Sequence, residues 1–257
     1  MKPTNMRTTQ SWISISSSRG RKIGRLFCLP FAGGGASAYH RWPSRVLDGI
    51  EVARVNLPGR ETRLREPLFD RLAPLIDVLV EELVHWIDGP FFLFGHSMGA
   101  LLVFELARGL RCRHGLLPLH LFVSGFRAPH LPPSHLSFSH LPDAEFVDSV
   151  RRYGGLPDLV AQNEELLEIF LPILRADFAM TEKYIYLEES PLECPLTALG
   201  GLSDSEVSRE EILAWNIHTS ARFNTHFFPG GHFFLHDSEP LVLDQINHQL
   251  NEAMLDR

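Results

Sequence analysis

Cysteine is scarce. Cys28, Cys112 and Cys194 are the three in the chain, far apart and with no Cys-x-x-Cys pair. That excludes a disulfide framework and a recognisable zinc site, and it fits a reducing compartment. Long apolar runs are also missing: none approaches the roughly 18 residues of a membrane-crossing helix. The opening Met1 to Gly20 is polar and serine-rich, with Trp12-Ile13 and an isolated Ile15 as its apolar content. A secretory signal needs about 7–15 apolar residues in its middle region. Positive charge is not in excess either, since 24 Lys and Arg against 31 Asp and Glu give a net −7. Sequence-independent nucleic-acid binding needs a basic surface and finds no support. Neither Gly-x-Gly-x-x-Gly nor Gly-Lys-Ser/Thr occurs, which argues against nucleotide phosphate binding. There is no internal repeat and no sustained heptad. The expectation is a cytoplasmic protein with no nucleic-acid or membrane partner, and by default a monomer.

What is present suits one large core. The 257 residues are 44% hydrophobic, and α/β sheets of about 250 residues often form a single domain. Apolar strand-like runs recur at Arg25–Leu29, Glu51–Asn56, Phe91–Phe94, Leu119–Ser124, Pro195–Leu199 and Arg222–Phe228. Ile13–Ser16 alternates apolar and polar and predicts a short edge strand. Several of the runs are nearly continuous, as parallel strands covered on both faces require. Helical patterns lie between them: Leu72 to Ile87, Met98 to Leu110, a serine-capped start at Ser208, and Leu241 to Met254. This alternation predicts an α/β fold with a mostly parallel central sheet flanked by helices.

One stretch breaks the rhythm. Phe126 to Glu189 holds no convincing strand; it opens with a Pro- and His-rich run and continues with helical pieces at Asp143–Tyr153, Asn163–Phe170 and from Pro172 to Tyr186. Pro172 suits a first helical position and would kink a continuous helix. The expected organisation is a tail over residues 1–20, a core over 21–126 and 190–257, and a helical lid insert over 127–189.

The strongest chemical signal is Gly95-His96-Ser97-Met98-Gly99, set between an apolar strand and a helix. A sharp strand-turn-helix exposes Ser97 at a helix N-terminus, where developing negative charge is favoured, and the flanking glycines let strand and helix pass closely. A serine hydroxyl needs a base oriented by a third group, expected in the chain order serine, acid, histidine. Among 13 histidines, His232 stands on a glycine turn just after the last strand, with His226 and His236 as rivals; His96 reads as packing for the turn. Asp204 follows the preceding strand, with Glu206 as its rival. The glycine-rich run after the first long strand can turn N–H groups toward the nucleophile, so the expected oxyanion donors are Met98 and either Phe31 or Ala32, with Ala32 favoured.

These residues sit within a longer string: Phe27-Cys28-Leu29-Pro30-Phe31-Ala32-Gly33-Gly34-Gly35, Asn56-Leu57-Pro58-Gly59-Arg60-Glu61-Thr62-Arg63, the serine motif, Ser124 to His130, Leu141-Pro142-Asp143, Leu174-Arg175-Ala176-Asp177-Phe178, and Gly230-Gly231-His232-Phe233-Phe234. The string resembles stand-alone type II thioesterases of polyketide and non-ribosomal peptide synthesis, over roughly residues 22–250. The resemblance implies an α/β-hydrolase that removes aberrant or stalled acyl groups from the phosphopantetheine arm of acyl or peptidyl carrier proteins. It implies the triad Ser97, Asp204 and His232, with Met98 and Ala32 as oxyanion donors, and no cofactor or metal of the enzyme's own. The competing activities are a general carboxylesterase and a serine acyltransferase; a silent binding protein would have no need of all three triad residues.

Two further clusters have rival readings. Arg60, Arg63, Arg65 and Arg71, interspersed with Glu61 and Glu66, form either a docking patch for an acidic carrier protein or a solvated face. His130, His135 and His140 are spaced by five, which fits neither helix-face nor paired-ligand metal geometry.

Overall fold

The apolar runs become strands of one sheet. In the computed structural model, which describes residues 11–16, 20–134, 136–152, 154–155, 160 and 162–256, the strands are β1 (Ile13–Ser16), β2 (Gly24–Leu29), β3 (Ile50–Val55), β4 (Phe91–His96), β5 (His120–Ser124), β6 (Leu196–Gly201) and β7 (Phe223–Phe228). Their spatial order is β1-β3-β2-β4-β5-β6-β7. β1 runs antiparallel to β3 on the edge, and the other neighbouring pairs are parallel. The expected tail residues 1–10 and 17–19, together with Tyr153 and His135, lie outside the described residues.

The helices named here are α1 (Leu72–Val84), α2 (Met98–His114), α3 (Asp143–Arg152), α4 (Glu164–Glu182), α5 (Arg209–Leu213), α6 (Phe234–Asp237) and α7 (Glu239–Leu255). Successive side chains leave a strand on opposite faces. In β2, Phe27 and Leu29 join the layer completed by Leu75 and Leu79 of α1 and Leu102 and Leu106 of α2. Leu26 and Cys28 join the other, completed by Tyr39, Trp42 and the α7 residues Val242, Ile246 and Leu250. Burial on both faces is why β2, β4 and β5 read as nearly continuous apolar runs rather than alternating ones. α2 runs one turn beyond Leu110 and stops at Gly115, whose φ of +63° is the left-handed conformation glycine adopts freely.

The segment over residues 127–189 gathers a small core of its own, with Phe138, Phe146, Val150 and Leu174 buried together. Here the structure corrects the sequence reading. Helical pieces divided near Pro172 are instead the single helix α4, with Pro172 inside it. Proline removes one N–H bond, the one to Glu168, but both residues are exposed, so the orphaned carbonyl faces water. Asn163 begins the helix by accepting from the Leu166 N–H at 3.1 Å. It ends at Glu182, and Tyr184 continues as irregular chain tied to Glu105 through its hydroxyl at 2.6 Å.

Candidate active site

Parallel strands deliver their following loops to one edge, and the loops after β2, β4, β6 and β7 converge there. Ser97 joins β4 to α2 at φ +53°, ψ −122°, a conformation that costs a residue with a side chain about 1–3 kcal/mol. The surroundings impose it. A methyl group at Gly95 would collide with the Gly99 carbonyl, and one at Gly99 with the Leu29 and Pro30 carbonyls. The Ser97 N–H donates to the Ser124 carbonyl at 2.7 Å, and the Ser97 carbonyl accepts from the Ala100 N–H at 2.8 Å. Because the added methyl group would meet backbone rather than a movable side chain, Gly95→Ala is expected to cost about 3 kcal/mol or more. Thermal unfolding would register this as a fall of roughly 6 °C or more in midpoint.

The loops after β6 and β7 are laced together before they present their side chains. Leu202 N–H donates to the Phe228 carbonyl at 2.8 Å and Ser203 N–H to the Gly230 carbonyl at 2.9 Å. On that base, His232 Nε2 lies 3.1 Å from Ser97 Oγ. Its Nδ1 lies 3.0 Å from Asp204 Oδ2. The Asp204 side chain is 1% exposed, and its other oxygen accepts from the Glu206 and Val207 N–H groups at 2.9 and 3.2 Å. An acceptor at Nδ1 selects the tautomer that leaves Nε2 free to take the serine proton. The geometry therefore brings together Ser97, His232 and Asp204. Glu206 contributes its backbone to the Asp204 turn. His226 stays within β7, and the His236 ring stacks on Phe233 with centroids 6.0 Å apart.

His96 is fully buried beside this group. Its Nδ1 sits 2.9 Å from Ser124 Oγ, and its ring lies 5.4 Å from that of His232. Burial first, and then the nearby His232 and His236, push its pKa well below the usual histidine range. Neutral His96 is thus a packing residue under His232, as its place before the serine suggests.

The β2 loop makes a tight turn. Gly34 N–H donates to the Phe31 carbonyl at 2.9 Å, and Gly33 has φ +74°. In a planar trans peptide C=O and N–H point opposite ways. With the Phe31 carbonyl drawn into the turn, the Ala32 N–H points out of it. Among the described residues neither the Ala32 nor the Met98 N–H has a hydrogen-bond partner, and both residues line the cavity at Ser97. The Phe31 ring instead packs edge-on against His96 and Phe233.

The sequence reading placed Arg60 and Arg63 on the surface, and this is corrected: they are 6% and 4% exposed, whereas Arg65 and Arg71 are exposed. Arg60 pairs with the fully buried Asp177 of α4 through two hydrogen bonds of 2.6 and 2.8 Å. Arg63 donates to the Asn56 carbonyl at 2.7 Å and lies 3.8 Å from the Trp12 ring centre. The sequence signal for Asp177 was an acid in the apolar stripe Leu167, Phe170, Leu174, Asp177. Of the histidine series, His130 Nδ1 meets His218 Nε2 at 2.8 Å, and burial lowers the His218 pKa to about 4.

A cavity of about 100 Å³ opens at Ser97, roofed by Phe138 and Phe178. The loop before α3 is strapped to α4. Glu182 accepts from the Phe138 and Ser139 N–H groups at 2.8 and 3.1 Å, and Arg175 donates to the Leu141 carbonyl at 2.8 Å.

Comparison with known proteins gives the same answer from several directions. A family model described as Thioesterase domain matches residues 24–250. Linear gramicidin dehydrogenase LgrE of Brevibacillus parabrevis is 44% identical, over 90% of this chain and 89% of its own. Gramicidin S biosynthesis protein GrsT of Aneurinibacillus migulanus is 42% identical, over 88% of each chain. Among solved structures, YbtT, a type II thioesterase from the yersiniabactin NRPS/PKS biosynthetic pathway, superposes with a TM-score of 0.86 at 33% identity, covering 95% of this chain and all of the other. With the serine elbow on a mostly parallel sheet, and with relatives this similar along nearly its whole length, the chain belongs to the thioesterase family and has the α/β-hydrolase fold.

Proposed function

We propose that this enzyme hydrolyses acyl thioesters held on the phosphopantetheine arm of carrier proteins, clearing aberrant or stalled acyl groups from a polyketide or non-ribosomal peptide synthase. The observation that carries the reading is a Ser97–His232–Asp204 relay opening onto a cavity of about 100 Å³. Pockets for drug-sized ligands run to roughly 300–1,000 Å³, so this one suits a short acyl chain. His232 Nε2 takes the Ser97 proton as Oγ attacks the thioester carbonyl, and the Met98 and Ala32 N–H groups receive the oxyanion. The C–S bond breaks and the thiol departs with the proton from His232; a thiolate, whose conjugate acid has a pKa near 8.5, leaves readily. Water then gives a proton to His232 and its oxygen to the acyl carbon; the acyl–Oγ bond breaks and His232 returns the proton to Oγ, releasing the free acid and restoring Ser97.

No cofactor enters this scheme. A redox reading, which the name of LgrE would suggest, finds no support in the glycine run. Two of its N–H groups are already taken by the protein: Gly33 donates to the Asp177 carboxylate at 2.8 Å and Gly34 to the Phe31 carbonyl at 2.9 Å. Among the described residues no helix is long and apolar enough to cross a membrane. A cytoplasmic setting is supported by three free cysteines, two of them buried in the core.

The test is free-acid release from carrier proteins loaded with acetyl, propionyl or octanoyl groups. Acetyl and propionyl are expected to be released at least about tenfold faster than octanoyl. No release from any carrier, with retained hydrolysis of p-nitrophenyl acetate, would leave a general carboxylesterase. Acyl transfer to an added alcohol or amine in place of acid would mark an acyltransferase.

A further inference from the structure

We infer that the buried Arg60–Asp177 pair positions the oxyanion turn, so that the lid helix α4 sets the transition-state geometry at Ser97. This rests on the serine-hydrolase reading above, though on no particular acyl donor.

The turn Phe31–Gly34 is gripped on both sides by one ion pair. Gly33 N–H donates to Asp177 Oδ2 at 2.8 Å, and Arg60 Nη1 donates both to that oxygen and to the Gly34 carbonyl at 3.1 Å. Arg60 Nη2 reaches the other Asp177 oxygen at 2.8 Å. A guanidinium fork engaging both carboxylate oxygens fixes direction as well as distance. Leu174, one turn earlier on α4, lies where a side chain on Gly33 would have to go. The Ala32 N–H, at the corner between Phe31 and Gly33, has its direction set by these bonds. Three segments distant in sequence therefore meet at this point: the β2 loop, the β3 loop and the lid helix. Burying an arginine and an aspartate is costly unless each is fully paired, and a pair that only joined the lid to the core would not need to take up the turn's own N–H and carbonyl. Neither residue touches the reacting atoms, so both act as positioning residues.

The role separates from a merely structural one in kinetics. Oxyanion donors act in the transition state, so misplacing one lowers kcat while leaving KM little changed. Asp177→Asn offers one acceptor oxygen where the turn and Arg60 together use two. Arg60→Lys keeps the charge and loses the fork. With p-nitrophenyl acetate, kcat is expected to fall about 10- to 100-fold in Asp177→Asn and by a smaller factor in Arg60→Lys, with KM within about threefold of wild type. Affinity for a trifluoromethyl ketone, which forms an oxyanion adduct with Ser97, should fall by the same factor as kcat/KM. Should Asp177→Asn not fold, Arg60→Lys alone decides the matter. The inference is overturned if kcat stays within twofold of wild type in the folded variants, or if it falls while ketone affinity is unchanged. Wild type that turns over p-nitrophenyl acetate but no carrier thioester would overturn the carrier reading and leave this test intact.

Discussion

Ser97→Ala is expected to lower kcat for thioester hydrolysis by about 10⁴–10⁶-fold, the scale on which nucleophile removal acts in serine hydrolases. Without Oγ no acyl-enzyme forms. What is left is direct attack by water near His232, with the Met98 and Ala32 N–H groups still available to the oxyanion, so a residual rate above background is expected. The same position carries a second, opposite effect on stability. Ser97 is held at φ +53°, and alanine keeps that strain because it keeps a Cβ. Glycine relieves it, partly offset by the greater freedom glycine gives the unfolded chain. Ser97→Gly should therefore be more stable than Ser97→Ala by about 1 kcal/mol, read as a higher thermal midpoint, while both are inactive. Equal activity of Ser97→Ala and wild type would remove Ser97 as nucleophile. Equal midpoints for the two variants would show that the elbow is not strained.

That strain is legible in the sequence because its causes are local. Gly95 and Gly99 flank the serine at fixed spacing, and the residues a methyl group there would strike lie in the same strand-turn-helix or at the end of the adjacent β2 and the residue after it. The central strands β2, β4 and β5 are legible for a similar reason: burial on both faces leaves nearly continuous apolar runs, and each expected strand is found within two residues of its place. Burial of Arg60 is different. Its partner Asp177 lies 117 residues away, and nothing near Arg60 distinguishes it from Arg65, which stays exposed. Arg63 is hidden by a tryptophan from the N-terminal segment and by the Asn56 carbonyl. Nor does local propensity reveal that Pro172 lies inside α4, since the cost of proline there depends on whether the orphaned carbonyl faces water or the core. Asp204 over Glu206 is an intermediate case. Both lie in the loop after β6, and the choice follows from a turn in which Asp204 accepts from the backbone N–H of Glu206 itself.

Asp204→Asn tests that choice with an effect of about 10⁴-fold on kcat. The asparagine would be nearly isosteric, so the fold and the thermal midpoint should change little. Its orientation is dictated by the turn: the position of Asp204 Oδ1 faces the N–H groups of Glu206 and Val207, which only an oxygen can satisfy. The amide nitrogen is then forced toward His232 Nδ1, at the place now held by Oδ2. Nδ1 must become an acceptor, its proton moves to Nε2, and Nε2 can no longer take the proton of Ser97. The loss is thus one of tautomer rather than of position. Two measurements separate this from general damage. Nitrogen NMR of the His232 ring should show the proton on Nδ1 in wild type and on Nε2 in the variant. Glu206→Gln, which leaves the backbone donors in place, should keep kcat within about threefold of wild type, because the carboxylate that meets His232 Nδ1 is that of Asp204. A large loss in Glu206→Gln with a small one in Asp204→Asn would transfer the acid's role to Glu206.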